Sequence, residues 1–210
     1  HPDALRDERV KVLRAVQAIS PADLVRGQYD GYLAEPGVAA GSDTETFAAL
    51  QLEIDSWRWA GVPWTIRAGK GMARTVTEAV IEFQRPPRPL FADAKCLPGP
   101  NRLTFRTKPD DEISLSMQAK VPGPEMVSGP VDLHLHHDRT SGGDAYDKLI
   151  GDALRGDPGL FARQDGVAEA WRIVESVLTD RSPVVSYERG SWGPAAADRL
   201  LGSDTEWITR

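Results

Sequence analysis

Lys70 lies between two glycines, at the end of a segment that has the pattern of a β-hairpin. Alternation of apolar and polar side chains in residues 44–72 predicts two strands joined by a tight turn at 57–61. Because glycine has no Cβ, Gly69 and Gly71 allow a ligand to come close to the backbone beside the lysine. We therefore expect Lys70 at a strand end, where it either binds an anionic or hydroxylated substrate or is simply solvated.

Two phosphate-binding motifs are excluded by the residues around this lysine and elsewhere. A Walker loop requires Ser or Thr after its lysine, and Gly71 stands at that position. No G-x-G-x-x-G follows a predicted strand, and strands do not alternate with helices in a βαβ order. We therefore expect no complete dinucleotide-binding domain within these residues.

Three histidines form the second candidate group, in the sequence HLHH at positions 134–137. Side chains alternate along a strand, so His134 and His136 share one face and can ligate a metal together. Zinc requires further ligands, and no cysteine or histidine stands at a suitable spacing. We favour the interpretation as ordinary strand residues over a metal site.

Other reactive or aromatic side chains have structural interpretations that we prefer. Cys96 lies in a proline-rich segment without a nearby base, so we do not expect it to be a nucleophile. Trp57, Trp59 and Trp64 could stack against a sugar, but packing in a core is the commoner role of such residues.

Composition limits the class of partner and the compartment. The 210 residues carry a formal net charge of −6, which disfavours nucleic acid and anionic membranes as partners. A single cysteine cannot form an internal disulfide, which fits a reducing, cytoplasmic setting. No apolar run is long enough to span a membrane. The chain opens at His1 directly into a helical pattern, which we interpret as a piece of a longer protein.

The predicted elements form a block of strands with helices on either side. Helical periodicity covers 3–18, 144–155, 166–179 and a short segment at 194–201; strands outside the hairpin are expected at 24–29, 75–83, 102–108, 112–121 and 131–138. This order predicts an α+β fold, with a large, mostly antiparallel sheet and helices packed on one face.

Long stretches of the chain resemble the C-terminal domain of glucose-6-phosphate dehydrogenase. The similarity covers nearly the whole sequence, in the order and at the spacing of that family. Its segments are VKVLRAV at 10–16, VRGQYDGY at 25–32, EPGVAAGSDTETFAALQLEIDSWRWAGVPWTIRAGKGM at 35–72, DAYDKLIGDALRGDPGLFAR at 144–163, EAWRIVESVL at 169–178 and YERGSWGPAAADRLL at 187–201.

The resemblance implies an enzymatic function for the protein that contains this chain. The family oxidises D-glucose 6-phosphate to 6-phospho-D-glucono-1,5-lactone with NADP, in the pentose phosphate pathway. Its catalytic His–Asp pair and most of its NADP site belong to an N-terminal domain that has no match here. We therefore expect residues 1–210 to be the substrate-side and dimerisation domain, inactive by itself. The alternative is a stand-alone, non-catalytic binding or assembly domain of the same fold, which the length of the open reading frame would distinguish.

The same resemblance implies which residues bind glucose 6-phosphate. The family motif R-x-G-K is matched by Arg67, Gly69 and Lys70, and its lysine reaches the sugar hydroxyls. A second basic residue is usual five places later, where Thr75 stands, so Arg74 is the candidate replacement. Lys108, which occupies a position often held by Gln, is the third candidate.

The family also implies a homodimer or tetramer that assembles through the sheet. Leu115, Met117 and Leu133 are strand residues that suit such an interface. Some family members bind a second, structural NADP through aromatic and basic residues. Ser114 and Ser116 stand in the corresponding strand, so we do not expect that site here.

Overall fold

The structure is a computed structural model that describes residues 2–87, 99–136, 145–179, 182–202 and 205–208. The chain divides into two compact units. The first unit comprises His1–Ala73 and Gly143–Arg210, and the second comprises Arg74–Gly142. Cys96 and His137 lie outside the described residues.

The first unit contains the helices and four strands. Its elements are α1 (Pro2–Ala15), β1 (Leu24–Tyr29), β2 (Phe47–Leu52), β3 (Trp64–Gly69), α2 (Ala145–Arg155) and α3 (Gln164–Leu178), followed by a short strand (Val185–Tyr187); 3-10 helices cover Pro21–Asp23, Tyr32–Ala34 and Ala195–Leu200. The second unit consists of β4 (Thr77–Glu82), β5 (Arg102–Lys108), β6 (Glu112–Lys120) and β7 (Ser128–His136). The short strand Val185–Tyr187 is accordingly β8. None of the described helices is long and apolar enough to cross a bilayer.

The sheet of the first unit has the order β3-β2-β1-β8. Its pairs are antiparallel except for β1 and β8, which are parallel. In the β2–β3 pair, Phe47 lies opposite Gly69 and Ala49 opposite Arg67. This register determines which side chains surround the end of β3.

Both faces of this sheet are covered, because β2 contributes apolar side chains to each side. Phe47 and Ala49 face one cluster, which contains Val25, Tyr187, Ala197 and Leu200. Leu50 and Leu52 lie on the opposite face, against a cluster that contains Val16, Ile19, Ile54 and Ile173. The α1 and α3 helices therefore pack on one face, and the 3-10 helix Ala195–Leu200 packs on the other.

The second unit is an antiparallel meander of order β4-β5-β6-β7. Its alternation separates two chemically different faces. Glu78, Arg106, Glu112 and His136 are register partners on one face, and Ala79, Phe105, Ile113 and Leu135 are partners on the other. On the polar face, Arg106 forms ion pairs with Glu78 and Glu112. Large apolar side chains on the other face are exposed.

The α+β class is confirmed, with two differences in detail. The strands form two four-stranded sheets rather than one large sheet. The turn predicted at 57–61 is present, but it does not join the strands directly: β2 ends at Leu52 and β3 begins at Trp64, and the intervening chain also contacts the residues at the end of α1. There Ile54 forms an isolated bridge with Val16, and the amide of Asp55 donates to the carbonyl of Ala15 at 2.7 Å. Packing against the helix thus lengthens the connection.

Candidate functional site

Lys70 lies immediately after β3, and both its backbone amide and its backbone carbonyl form hydrogen bonds. Its amide donates to the carbonyl of Thr46 at 2.8 Å, and its own carbonyl accepts from the hydroxyl of Tyr187 at 2.7 Å. The side chain is exposed, and no carboxylate in the described part of the chain forms an ion pair with its ammonium group. The fold therefore presents an unneutralised cation from a well-anchored strand end.

The hydroxyl of Tyr187 stabilises this strand end through its hydrogen bond to Lys70. The sequence alone did not indicate Tyr187 as part of the site. It is 4% exposed, and its hydroxyl also lies 3.1 Å from the hydroxyl of Thr46. Its ring packs against Phe47, with ring centroids 5.6 Å apart. Tyr187 comes from β8, a three-residue strand that pairs non-locally with β1, so no local pattern pointed to it.

The glycines beside Lys70 serve the fold itself. A Cβ on Gly69 would lie 2.9 Å from both Phe47 Cδ2 and Met72 Sδ, so a side chain there would collide with the core. Gly71 has a φ of +60°, a conformation that favours glycine. Its carbonyl accepts a hydrogen bond of 2.6 Å from the amide of Gly190. These contacts give the glycines a structural reason that is independent of ligand approach.

Arg67, the first residue of the R-x-G-K motif, has a packing role in this structure. Its guanidinium lies 4.7 Å from the ring centroid of Trp192 and 4.8 Å from that of Trp207. It also donates to the carbonyl of Ile208 at 3.4 Å, and it lines a cleft of about 480 Å³ with both tryptophans. Arg67 thereby holds the last described segment against the sheet, a role distinct from that of Lys70.

A second cation, Arg189, lies close to the loop that follows Lys70. A Cβ on Gly71 would come within 3.1 Å of Arg189 Cγ. The guanidinium stacks 5.0 Å from the centroid of Tyr29 and pairs with Glu35 at 3.2 Å. Burial, followed by the charge of Glu35, raises the pKa of the Tyr29 hydroxyl. Arg189 is thus partly neutralised, which leaves Lys70 as the stronger candidate for an anionic ligand.

Arg74 and Lys108, the other two candidates from the sequence, belong to the second unit. Arg74 precedes β4, and Lys108 ends β5 opposite Thr77, so both lie at the same end of the antiparallel sheet. Both side chains are exposed. Their assignment as substrate-binding residues stays a prediction.

His134 and His136 lie on one face of β7, as the alternation predicts, and the structure adds a third residue. Glu112 of β6 lies opposite His136, and its Oε1 is 2.7 Å from Nδ1 of His134. This hydrogen bond holds the pKa of the Glu112 carboxyl below its usual range, against the opposing effect of burial and with a further contribution from Arg106. Glu112 was missed because the predicted strand 131–138 gave no register with β6.

The three tryptophans of the hairpin region divide between packing and exposure. Trp59 and Trp64 meet edge to face, with ring centroids 5.0 Å apart, beside the cluster that joins α1 and α3. Trp57 is fully exposed. The packing interpretation therefore fits two of the three residues.

Comparison with known proteins identifies the family. Residues 1–208 match the family described as glucose-6-phosphate dehydrogenase, C-terminal domain. The chain belongs to this family. The predicted resemblance is confirmed, and it extends over all the described residues of both units.

Individual relatives agree with this assignment. Glucose-6-phosphate 1-dehydrogenase of Aggregatibacter actinomycetemcomitans is 38% identical over 219 residues, which cover 95% of this chain and 44% of the relative. Glucose-6-phosphate 1-dehydrogenase 1 of Mycobacterium tuberculosis strain H37Rv is 39% identical over 218 residues, which cover 99% of this chain and 45% of the relative. The chain therefore spans just under half the length of these curated relatives.

Solved structures show the same correspondence in three dimensions. The crystal structure of glucose-6-phosphate 1-dehydrogenase from Mycobacterium avium superposes with a TM-score of 0.89 at 40% identity, over 100% of this chain and 45% of that one. A glucose-6-phosphate dehydrogenase in complex with its substrate glucose-6-phosphate gives a TM-score of 0.85 at 31% identity, over 100% of this chain and 46% of that one.

Proposed function

We propose that this chain is the substrate-side part of an NADP-dependent glucose-6-phosphate 1-dehydrogenase. The whole enzyme would oxidise D-glucose 6-phosphate to 6-phospho-D-glucono-1,5-lactone, in the pentose phosphate pathway and in the cytoplasm. The observation that carries the proposal is the exposed, unneutralised ammonium group of Lys70 on an anchored strand end, in a chain of this family. The relative solved with glucose-6-phosphate supports the choice of substrate.

Lys70 is proposed to bind the substrate rather than to perform the chemical step. An ammonium group offers three hydrogen-bond donors, which suit sugar hydroxyls and the phosphate dianion. The backbone bonds to Thr46 and Tyr187 hold its Cα, so only the side chain needs to be ordered on binding. The low mobility expected of this strand end reduces the entropy lost when substrate binds.

NADP is proposed to be held mainly by the part of the enzyme outside this chain. The described residues form antiparallel sheets with a single parallel pair, β1–β8, and contain no βαβ unit with a glycine-rich turn. That arrangement lacks the crevice at the carboxyl ends of parallel strands where a doubly wound fold binds a dinucleotide. The coenzyme, when bound, would accept the hydride from the sugar.

Substitution of Lys70 in the full-length enzyme tests the site. Lys70→Ala should raise the KM for glucose 6-phosphate about 10–100-fold, since a hydrogen bond to a charged group contributes about 1.5–3 kcal/mol. Its circular dichroism spectrum should be unchanged. Lys11→Ala is the matched control, because Lys11 is an exposed lysine of the same unit that is paired with Glu8. Wild-type KM and kcat in Lys70→Ala would remove this residue from the site.

The alternative, a stand-alone binding or assembly domain, is tested by the length of the open reading frame, whereas an activity assay tests where the coenzyme binds. The 210 residues expressed by themselves should give no NADPH absorbance with glucose 6-phosphate and NADP, because the proposed coenzyme site lies elsewhere. A clear rise in absorbance would contradict the proposal that the coenzyme site lies outside these residues. An open reading frame of only this length would favour the stand-alone domain.

We further propose that the enzyme is a homodimer or tetramer assembled through the sheet of the second unit. Phe105, Ile113 and Leu135 are 40%, 40% and 66% exposed on its apolar face. Leu135→Asp should lower the sedimentation coefficient of the full-length enzyme by dissociating the subunits. Thr104→Asp, on the opposite face, is the control. If Leu135→Asp sediments like the wild type, this face is not the interface.

A further inference from the structure

We propose that Glu112, His134 and His136 form a binding site for a divalent transition-metal ion of the zinc type, on the polar face of the second unit. One ligand atom from each of the three side chains can be chosen so that all lie within 4.8 Å of one another. The proposal uses residues of β6 and β7 alone, so it is independent of the dehydrogenase assignment and of Lys70.

The strand register is what brings the three side chains together. Glu112 and His136 are direct partners across the β6–β7 pair, and His134 lies two residues before His136, on the same face. The two imidazole rings are almost parallel, with centroids 6.0 Å apart and an interplanar angle of 5°. Both histidines are exposed, so an ion can reach them from solvent.

The donor atoms of Glu112 and His134 need only a small movement to ligate an ion together, whereas the remaining donor pairs, within 4.8 Å, must close by up to about 1.4 Å. Ligands at about 2.0–2.2 Å from a tetrahedral zinc ion lie about 3.3–3.5 Å from each other. Nδ1 of His134 and Oε1 of Glu112 are 2.7 Å apart, as expected when a proton occupies the space between them. Replacement of that proton by a metal ion requires these two atoms to separate by less than 1 Å (about 0.7 Å).

Arg106 positions the carboxylate of Glu112 for this role. Its Nη1 donates to Oε2 of Glu112 at 3.0 Å, and its Nη2 donates to Glu78 at 3.2 Å. The Glu112 side chain is 13% exposed, so its orientation is restricted. With Oε2 bonded to Arg106, Oε1 is directed toward the histidines, which is the outer-shell arrangement that metal ligands commonly have.

The donor set indicates which ions fit. Two imidazole nitrogens and one carboxylate oxygen suit zinc, cobalt, nickel and copper, whereas calcium and magnesium prefer sites built from oxygen. Three protein ligands leave a fourth position for water. A bound ion would also join β7, which is an edge strand of its sheet, to β6 through side chains. Such a link would stabilise the β6–β7 pairing.

The test is titration of tag-free, chelator-treated full-length protein with Zn²⁺ in a calorimeter, and with Co²⁺ in a spectrophotometer. The wild type should bind one equivalent of Zn²⁺ that is lost in His134→Ala and in His136→Ala. Co²⁺ should produce a visible absorption band of a four-coordinate site, which is missing in both variants. Glu112→Gln should weaken binding at least about tenfold.

Two further variants distinguish a built site from general attraction of cations. Glu82→Gln removes a carboxylate that also pairs with an arginine, Arg102, on the same face but on the opposite edge strand. It should bind Zn²⁺ like the wild type. Arg106→Gln keeps all three ligands and should weaken binding about 10–100-fold, through loss of carboxylate orientation.

Three results would overturn the proposal. These are failure of the wild type to bind Zn²⁺, an unchanged stoichiometry in the His134→Ala His136→Ala double variant, and equal losses in Glu82→Gln and Glu112→Gln. The circular dichroism spectra of all variants, recorded without metal, identify any variant that has failed to fold. Because both histidines are exposed, their substitution should leave the fold intact.

Discussion

The two units use their sheets in opposite ways. In the first unit Phe47 is 1% exposed, and apolar side chains cover both faces of β2. In the second unit Phe105 is 40% exposed, and the best-buried side chains lie on the ion-paired polar face, where Ser114 is 7% exposed. The first sheet is therefore stabilised mainly by apolar burial within its own unit. The second sheet has an apolar face whose burial by another subunit we propose.

The difference also explains where each unit carries its candidate chemistry. The covered sheet of the first unit holds the backbone of Lys70 and projects one cation into solvent. The open polar face of the second unit gathers Glu112 and the two histidines through strand register alone. Apolar packing thus supports the proposed substrate-binding residue, and cross-strand pairing supports the proposed metal-ligand cluster.

Substitution of Gly193, which lies directly against the ring of Phe47, should have the largest effect. Gly193 has a φ of +102°, and a Cβ there would lie 2.3 Å from Cε2 of Phe47. Gly193→Ala should lower the free energy of unfolding by more than about 4 kcal/mol, or prevent folding, because both the core and the backbone are strained. Urea denaturation of the purified protein measures this change.

The matched control for this substitution is Gly61→Ala. Gly61 also has a positive φ, +74°, but a Cβ there would meet nothing within 4 Å. Only the backbone cost of about 1–2 kcal/mol is expected. If the two alanine variants were equally stable, the close packing of Gly193 against Phe47 would not hold.

A direct comparison of the two units follows from one phenylalanine in each. Phe47→Ala should destabilise the first unit by about 3–5 kcal/mol, because it leaves a cavity between Tyr187 and Val25. Phe105→Ala should cost less than about 1.5 kcal/mol in dissociated subunits, since the ring is already 40% exposed. Denaturation at protein concentrations below and above subunit association separates the two contributions. A larger cost for Phe105 in dissociated subunits would reverse the comparison.

The ion pairs of the second unit should contribute according to their burial. Arg106→Ala leaves Glu78 and Glu112, which are 14% and 13% exposed, without their shared cation. The expected cost is about 1–3 kcal/mol. Arg102→Ala removes a pair with Glu82 at 33% and 38% exposure and should cost less than about 1 kcal/mol. Equal costs in chemical denaturation would contradict the burial difference between the two pairs.

The smallest effect concerns Glu169 of α3, which pairs with Arg172 of the same helix and with Arg14 of α1. The hydrogen bond from Arg172 lowers the pKa of the Glu169 carboxyl, against the effect of burial and with a contribution from Arg14. A carboxyl whose pKa is lowered on folding contributes stability above its unfolded pKa, and that contribution is lost as the pH falls through its folded pKa. Glu169→Gln should therefore flatten the loss of stability below about pH 4.3.

Glu175→Gln, on the same helix, is the control for this pH dependence. Glu175 is exposed, and its substitution removes a carboxylate from the same helix while it leaves the pair between Glu169 and Arg172 intact. The measurement is the free energy of unfolding between neutral and acid pH. Parallel curves for Glu169→Gln and the wild type would show that the pair with Arg172 contributes nothing.

Local patterns were sufficient for the elements whose neighbours are close in sequence. The predicted strands 24–29 and 102–108 coincide with β1 and β5, and the helix predicted at 166–179 corresponds to α3, Gln164–Leu178. The strand end that carries Lys70 also follows from alternation and from its two glycines. These features depend on side-chain periodicity and turn chemistry, which a short window contains.

The features that the sequence did not reveal depend on distant pairs. The three residues of β8 are too few for a recognisable alternation and form a strand only because β1 accepts them. The connection between β2 and β3 is lengthened at Ile54, which forms a bridge with Val16 immediately after α1. Division of the strands into two sheets depends on a pairing that does not form: β3 and β4 follow one another in the chain, yet they are edge strands of different sheets, and alternation within each strand does not specify this.

Residue types and spacing were therefore enough to establish the family, the α+β class and the exposed lysine at the end of β3. Tertiary structure alone decided that Tyr187 bonds to that strand end, that Arg67 packs between two tryptophans, and that Glu112 meets His134 and His136. The physical reason is the same in each case. Hydrogen-bond and ring contacts are set by strand register and by the packing of non-local segments, and periodicity within one segment does not specify either.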